Sequence, residues 1–365
     1  MIRNGGEGAP PAEQGSLPVS LAEVEALLQQ TLERLERDWT AFAERRAEIL
    51  GEADIPQLAR IASTGGKRVR PVMVHWGWRA AGADEADRGE LVRLAVAMEL
   101  LHDFALVHDD VMDAAETRRG RPTIHAIARD AHRAAGGVDC ARAFGDSVAI
   151  LVGDLLHAEA DHLVAGLAEP VLAAWRSMLI ELVLGQRRDL TGAALGRRDL
   201  GRAREVAVLK TGAYTVTRPL ELGAILGGAR AEVLAVLGRY GLHLGRAFGL
   251  RDDVIGVWGD PGLTGKPDAA DLLAGKATAV TAVAERALSE RGRAVLDALP
   301  GAPDAPRLAE RVRREMTERG VRRTVEEMID REAELALAAL DPAVLPPDAL
   351  RGLQELVPVL SWRES

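Results

Sequence analysis

Apolar positions along this chain recur mostly at three- and four-residue intervals, the spacing that lines one face of an α-helix. The run SLAEVEALLQQTLERL places Val24, Leu28, Leu32 and Leu35 on one such face. Ser20, with Glu23 three residues on, forms a capping-box signature, so the ordered chain is expected to begin at Ser20. The run ELVRLAVAMELLHDFALVHDD predicts a long helix from Glu90 to Asp110, and DSVAILVGDLLHAEADHLVAGL predicts another from Asp146. Further helical runs surround Glu181 to Leu190, Arg202 to Leu226, and Ala231 to Val257. The charged, periodic stretch from Pro306 to Leu340 reads as one outer amphipathic helix. Gly65-Gly66, Gly136-Gly137 and Pro261-Gly262 punctuate these runs. Strand alternation, a βαβ rhythm and strict repeats are not evident. The expected architecture is a single all-α bundle over residues 20–365, behind a disordered tail at residues 1–19.

Composition sharpens this picture. A hydrophobic fraction of 47% allows a sizeable core, and an aromatic fraction of 3% means that Leu, Val and Ala must fill it. A net charge of −9 argues against a broad nucleic-acid footprint or an anionic-membrane anchor, while leaving room for a local basic pocket. No apolar run approaches the length of a transmembrane helix. The single Cys140 excludes an internal disulfide and fits a reducing, cytoplasmic location. The N-terminal MIRNGGEGAPPAEQGSLP lacks the apolar core of a signal peptide. Its composition reads as a disordered tail, with a docking tag for a partner as the sharper alternative.

The chemistry concentrates in LLHDFALVHDDVMDAAETRRGRPT. Asp109 and Asp113 are i,i+4 helical neighbours, and Asp110 and Asp113 are i,i+3, so three carboxylates crowd one helix end. Without a cation they would repel. Mg²⁺ resolves that conflict, because it takes oxygen ligands and commonly uses one or two carboxylates together with substrate phosphate. Such a motif alone is weak, since acidic runs are usually solvated faces. A second pair, Asp252-Asp253, follows another apolar helix in the other half of the chain. Two carboxylate clusters facing each other would make a multi-metal diphosphate clamp.

Basic groups accompany them. GGKRVRP supplies Lys67, Arg68 and Arg70; TRRGRPT supplies Arg118, Arg119 and Arg121. KTGAY supplies Lys210 and Thr211, and GDPGLTGKPDAADLLAGK supplies Lys266 and Lys276. Arginine offers a planar fork for phosphate and lysine a point charge. Arg68 and Arg121 are assigned mainly to ordinary ion pairs, and Arg70 and Arg119 to phosphate. His108 and His125 are expected to be structural.

In this order, GGKRVRP, HDFALVHDDVMD, TRRGRPT, GQRRDL, KTGAY and FGLRDDVIGVWGD with its following GK elements resemble the trans-isoprenyl diphosphate synthases, the polyprenyl synthetase family. The resemblance covers essentially the whole chain from Leu21. It implies a cytoplasmic, homodimeric, all-α prenyltransferase. The implied reaction is a Mg²⁺-dependent, head-to-tail condensation of isopentenyl diphosphate with an allylic diphosphate, using three ions once substrate is bound. It carries metal binding onto Asp109, Asp110 and Asp113 and onto Asp252 and Asp253. Lys67, Arg70, His102 and Arg119 match positions that hold isopentenyl diphosphate. Arg118, Lys210 and Lys266 match positions on the allylic diphosphate, with Lys276 in the second GK element. Gln186 and Thr211 match positions near the forming cation. No side-chain base is required, since the departing diphosphate can take the proton.

The product tail is expected to run along the helix before Asp109. Phe104 beside Ala105 suggests a floor, and family analogy favours a C20 product, with C15 next. Ala97, Leu100 and Leu101 lie deeper. Two departures stand out: the family's second motif usually ends in Asp where this chain has Gly256, and usually has Gln where this chain has Gly249. Asp260, one turn on, is the expected substitute. These departures keep open a non-catalytic or regulatory subunit of a heteromeric synthase. A class I terpene cyclase fits less well, because GGKRVRP is unexpected there and its second metal motif differs.

Overall fold

The structure, a computed structural model, describes residues 21–43, 55–83, 88–195, 198–264 and 268–364. Ser20 and the tail at residues 1–19 lie outside the described residues. The chain runs through α1 (Leu21–Ala43), α2 (Ile55–Ala62), α3 (Val69–Ala80) and α4 (Arg88–Met112). A two-residue hairpin, β1 (Thr117–Arg118) and β2 (Arg121–Pro122), follows, then α5 (Ile124–Ala134), α6 (Ala141–Val164) and α7 (Glu169–Leu195). After α8 (Leu200–Val206) comes a π-helix (Ala207–Thr217), continued by α9 (Arg218–Leu226) and α10 (Ala231–Trp258). The remainder is α11 (Pro261–Thr264), α12 (Ala270–Leu273), α13 (Ala279–Ala287), α14 (Glu290–Ala298), α15 (Ala305–Glu318), α16 (Val321–Ala339) and α17 (Pro347–Ser361).

The all-α architecture is the one expected, and α4 is its central post. Every residue from Leu94 to Leu101 is buried, so this helix is covered on all sides rather than along one stripe. It packs against α1 and α6, whose apolar residues join it in one core. In α1 the buried face is Val24, Leu28, Leu32 and Leu35, as the spacing predicts. A second core lies between α10, α16 and α17.

Three expectations change. The charged stretch from Pro306 to Leu340 is two helices, α15 and α16, broken at Gly320 with φ 75°. Its second half is not outer: α16 buries Val321, Val325, Ile329, Ala333 and Ala336, largely against α10. The run from Arg202 to Leu226 is interrupted by the π-helix, a widened form often found at functional sites. There the chain passes α10 so closely that a Cβ on Gly212 would lie 2.6 Å from the Gly245 carbonyl oxygen. That approach brings the start of the π-helix beside the carboxyl ends of α4 and α10.

Candidate active site

α4 ends in the first acidic cluster. Asp109 Oδ1 accepts hydrogen bonds from Lys210 Nζ at 2.8 Å and Gln186 Nε2 at 3.2 Å. Lys210 also donates to Asp189 Oδ2 at 2.6 Å. α7, the π-helix and α4 therefore meet at one lysine, with Thr211 next along the π-helix. Burial opposes ionisation of Asp109, but Lys210 and Lys276 outweigh it and hold its carboxyl below the ordinary value. Burial likewise opposes the Lys210 charge, and Asp109 and Asp189 outweigh it, so its pKa is raised. Asp110 is buried and accepts from Arg118 Nε at 2.8 Å. Burial pushes its carboxyl up despite that partner. Asp113, just past the helix, accepts from Lys276 Nζ at 2.7 Å.

α10 ends in the second cluster. Asp252 Oδ1 accepts from Arg363 at 3.1 Å, and Asp253 Oδ2 caps α13 by accepting from the Ala279 N–H at 2.9 Å. Burial, followed by the neighbouring Asp271 charge, drives the Asp253 carboxyl well up. The charges of Asp271, Asp113 and Asp109 all act on Lys276 and, against the cost of burial, raise its pKa. Asp271, which acts on both Asp253 and Lys276, links the second cluster to the lysine that bonds Asp113.

Beside them lies an arginine-rich recess. Arg70 lies over the Tyr214 ring, 4.5 Å from its centroid, and donates to Thr215 Oγ1 at 2.8 Å. Burial, then the charges of Arg70, Arg119, Arg118 and Arg68, push His102 well below its ordinary pKa, so the ring is neutral. Arg119 donates to the Thr64 carbonyl at 2.9 Å and rests on Gly66. Arg119 itself has φ 52° and Gly120 φ 72°, the paired left-handed residues of a tight hairpin turn. A bulky side chain held there is backbone strain of the kind that gathers at functional sites. Lys67 is exposed, and burial of part of its stem with the Arg363 charge lowers its pKa, Asp252 opposing.

Arg68 is different. It is buried in ion pairs with Glu25 at 2.5 Å and Glu99 at 2.7 Å, as expected of a structural group. His108 also has a structural setting, its Nε2 lying 3.1 Å from the Ile150 carbonyl oxygen. Phe104 faces α6, stacked on His157 with centroids 4.7 Å apart and 15° between planes, and edge-on to His108 at 4.6 Å. Ala105 shares the Asp109 side of α4, one turn below it. Lys266 lies outside the described residues.

Asp260 does not take the place expected of it. It is exposed and caps its own turn, accepting from the Gly262 N–H at 2.7 Å. Gly249 lies against Ala207 at the start of the π-helix, where a Cβ would come within 3.2 Å of the alanine methyl. Sequence reasoning missed three groups that the fold brings in: Asp189, Asp271 and Arg363. Asp189 had a usable signal, being one turn after Gln186 in GQRRDL.

Among the described residues no three acidic or imidazole side chains converge to hold an ion by themselves. The donor set is hard carboxylate oxygen at two helix ends, flanked by cations. That fits Mg²⁺, which completes a partial carboxylate set with water and phosphate oxygens.

The comparisons agree with this geometry. A family model described as polyprenyl synthetase matches residues 56–316. The chain is 34% identical over 303 residues to a geranylgeranyl diphosphate synthase of Mycobacterium tuberculosis, covering 81% of this chain and 80% of that one. It is 34% identical over 240 residues to a geranylfarnesyl diphosphate synthase of Aeropyrum pernix, covering 63% and 70%. A solved geranylgeranyl pyrophosphate synthase of Corynebacterium glutamicum, complexed with isoprenyl diphosphate and magnesium, superposes with a TM-score of 0.85 at 31% identity, covering 95% of this chain and 99% of that one. Matched motifs, matched fold and matched length converge: the chain belongs to the polyprenyl synthetase family.

Proposed function

We propose that this chain is one catalytic domain that condenses isopentenyl diphosphate head to tail with an allylic diphosphate, ending at geranylgeranyl diphosphate (C20). The observation that carries the reading is the carboxylate end of α4 held by Lys210, Lys276 and Arg118. Bound divalent cations, three with substrate in place, would be held by Asp109, Asp113 and the Asp252-Asp253 pair, and would supply positive charge to the leaving diphosphate.

The chain's own residues do the rest. Lys210, Lys276 and Arg118 face the allylic diphosphate, and their charges count most as its C–O bond ionises. Gln186 and Thr211 border the allylic cation that forms. Lys67, Arg70, His102 and Arg119 hold isopentenyl diphosphate, whose double bond attacks the cation. Neutral His102 accords with a diphosphate that brings its own charge into a nest of arginines. The proton lost in closing the new double bond goes to the departing diphosphate. The buried apolar flank of α4 keeps water from the cation. Phe104, braced by His157, limits the growing tail.

A homodimer accords with apolar side chains left uncovered on neighbouring helices: Ile150 and Leu151 on α6, and Ile180, Val183 and Leu184 on α7. No described helix is long and apolar enough to cross a membrane. A cytoplasmic location accords with the lone Cys140.

The test is to incubate the purified chain with Mg²⁺, labelled isopentenyl diphosphate and, separately, the C5, C10 and C15 allylic diphosphates, and to size the dephosphorylated products. A C20 alcohol is expected. A C15 or longer-than-C20 product would keep the reaction and refute the Phe104 floor. No condensation with any primer would favour a non-catalytic subunit, with Gly249 and Gly256 the first residues to restore. Light scattering of the same preparation is expected to give twice the 39.0 kDa chain mass.

A further inference from the structure

Behind the arginine-rich recess lies a buried acidic layer. Glu99 and Asp103 are i,i+4 neighbours on α4, 2% and 1% exposed, and Asp103 follows His102 directly. Both face the connection from α2 to α3. Arg68 Nη1 donates to Glu99 at 2.7 Å, and its Nε donates to Glu25 at 2.5 Å, so this arginine is shared between two acids. The Ser63 hydroxyl lies beside Asp103, short of a formed hydrogen bond, and neither Asp103 oxygen has another partner. Arg119 reaches the same connection from the β1–β2 hairpin, donating to the Thr64 carbonyl and resting on Gly66. Among the described residues Arg119 makes no ion pair. Burial works against its charge, and Asp103, ahead of Glu99, is the charge that supports it most, with Arg118 and Arg68 opposing. From the π-helix the buried Tyr214 hydroxyl also feels both acids.

An acid placed this way depends on a cation that has another task. While ionised, Asp103 is answered by Arg68 and Arg119 and opposed by burial and by Glu99. A diphosphate in the recess would engage the Arg119 guanidinium and add its own negative charge to that of Glu99. A buried carboxylate that loses its counter-charge is less costly protonated than ionised. An apolar or amide side chain would fill the same space and could make no such adjustment.

We propose that Asp103 is the proton acceptor of isopentenyl diphosphate binding: it takes one proton from solvent as the diphosphate draws on Arg119, so that binding weakens as pH rises. Asp103 touches no substrate and acts through Arg119. The inference rests on the reading of Arg119 as an isopentenyl diphosphate ligand given above. Burial and Glu99 bring the Asp103 carboxyl to about 7 in the empty recess, so it is largely protonated at pH 6 and largely ionised at pH 8.

Calorimetric titration counts the proton. Isopentenyl diphosphate is added alone, with no allylic partner to react with, in two buffers of different ionisation enthalpy. At pH 8 the unaltered chain is expected to take up close to one proton more than Asp103→Asn does. From pH 6 to pH 8 its affinity should fall about tenfold relative to that of Asp103→Asn. KM for isopentenyl diphosphate should follow the same trend, while KM for the allylic diphosphate stays equal in the two proteins. A side chain that only supports the packing would, on replacement, weaken binding at both pH values and leave the proton count unchanged, which overturns the proposal. Equal uptake in the two proteins assigns the proton to His102 or to the diphosphate and also overturns it. Should thermal melts show that Asp103→Asn does not fold, Asp103→Ser takes its place. Absence of uptake at pH 8 in the unaltered chain overturns the proposal without any variant. An unaltered chain that binds no isopentenyl diphosphate at pH 6 overturns the diphosphate-site reading itself.

Discussion

Lys276 Nζ stands 2.7 Å from Asp113 Oδ2, joining the loop after α12 to the end of α4. On the proposed function, a phosphate oxygen and a metal would both compete for the surroundings of this lysine. Lys276→Met keeps the stem and removes the charge. It is expected to lower kcat on the order of 10²-fold, the usual cost of removing one charge-stabilising donor. Steady-state kinetics under saturating Mg²⁺ check this, and an unchanged kcat would refute the placement of Lys276 on the allylic diphosphate.

Arg363 reaches the site from beyond α17, donating to Asp252 and lying 4.1 Å over the Phe248 ring. It also acts on Lys67. Arg363→Ala is expected to raise KM for isopentenyl diphosphate about tenfold, equivalent to about 1.4 kcal/mol, with a smaller change for the allylic substrate. Equal effects on the two KM values would argue for a general loosening instead.

Phe104 is clasped by His157 and His108 and packs against the aliphatic core around α4. Phe104→Ala removes the stack and opens the flank of α4. Products longer than C20 are expected from chromatography of the dephosphorylated alcohols. Loss of aromatic packing should also cost about 2–4 kcal/mol of stability, visible as a lower urea midpoint. A product distribution identical to that of the unaltered chain would remove Phe104 from the floor.

Asp103 is buried one turn from Glu99, with Arg68 and Arg119 beyond. Burial, then the Glu99 charge, pushes its carboxyl up to about 7. The sign follows from linkage: the folded chain holds this proton more tightly than the unfolded one. The associated stability is complete at low pH and is lost as pH rises from about 4 through 7. Asp103→Asn keeps the shape without the charge. Its advantage over the unaltered chain should grow across that window and level off above it, reaching at most about 4 kcal/mol. Urea denaturation at pH 5 and pH 8 measures the difference, and a constant gap would refute the shifted titration.

Much of this was legible beforehand because helix period and charge spacing are local properties. Val24, Leu28, Leu32 and Leu35 announce α1, and Asp109 with Asp113 announces the acidic end of α4. What was not legible depends on distant partners. Asp271 looks like an ordinary helix-start acid until Gly256 is seen beneath it. Arg363 looks like a charged terminus until α17 turns it onto Asp252. The split of the stretch from Pro306 to Leu340 needed Gly320 read as a left-handed stop, and charge density hid the buried stripe of α16. Asp260 was chosen by proximity in sequence, whereas its side chain satisfies the nearer Gly262 N–H first.

The π-helix makes one segment of this chain unusually sensitive to length. Each of its turns holds about one residue more than an α-helical turn would. Removing a single residue between Ala207 and Thr217 would let part of it relax to ordinary winding, and α9 could keep its packing only by turning what lies upstream. Lys210 would then be swung by roughly a quarter-turn or more about the helix axis. Substitutions here would be graded in effect, but a one-residue deletion acts as a phase error. Among relatives, the spacing from Lys210 to Arg218 should therefore drift less than the identities of the residues between them.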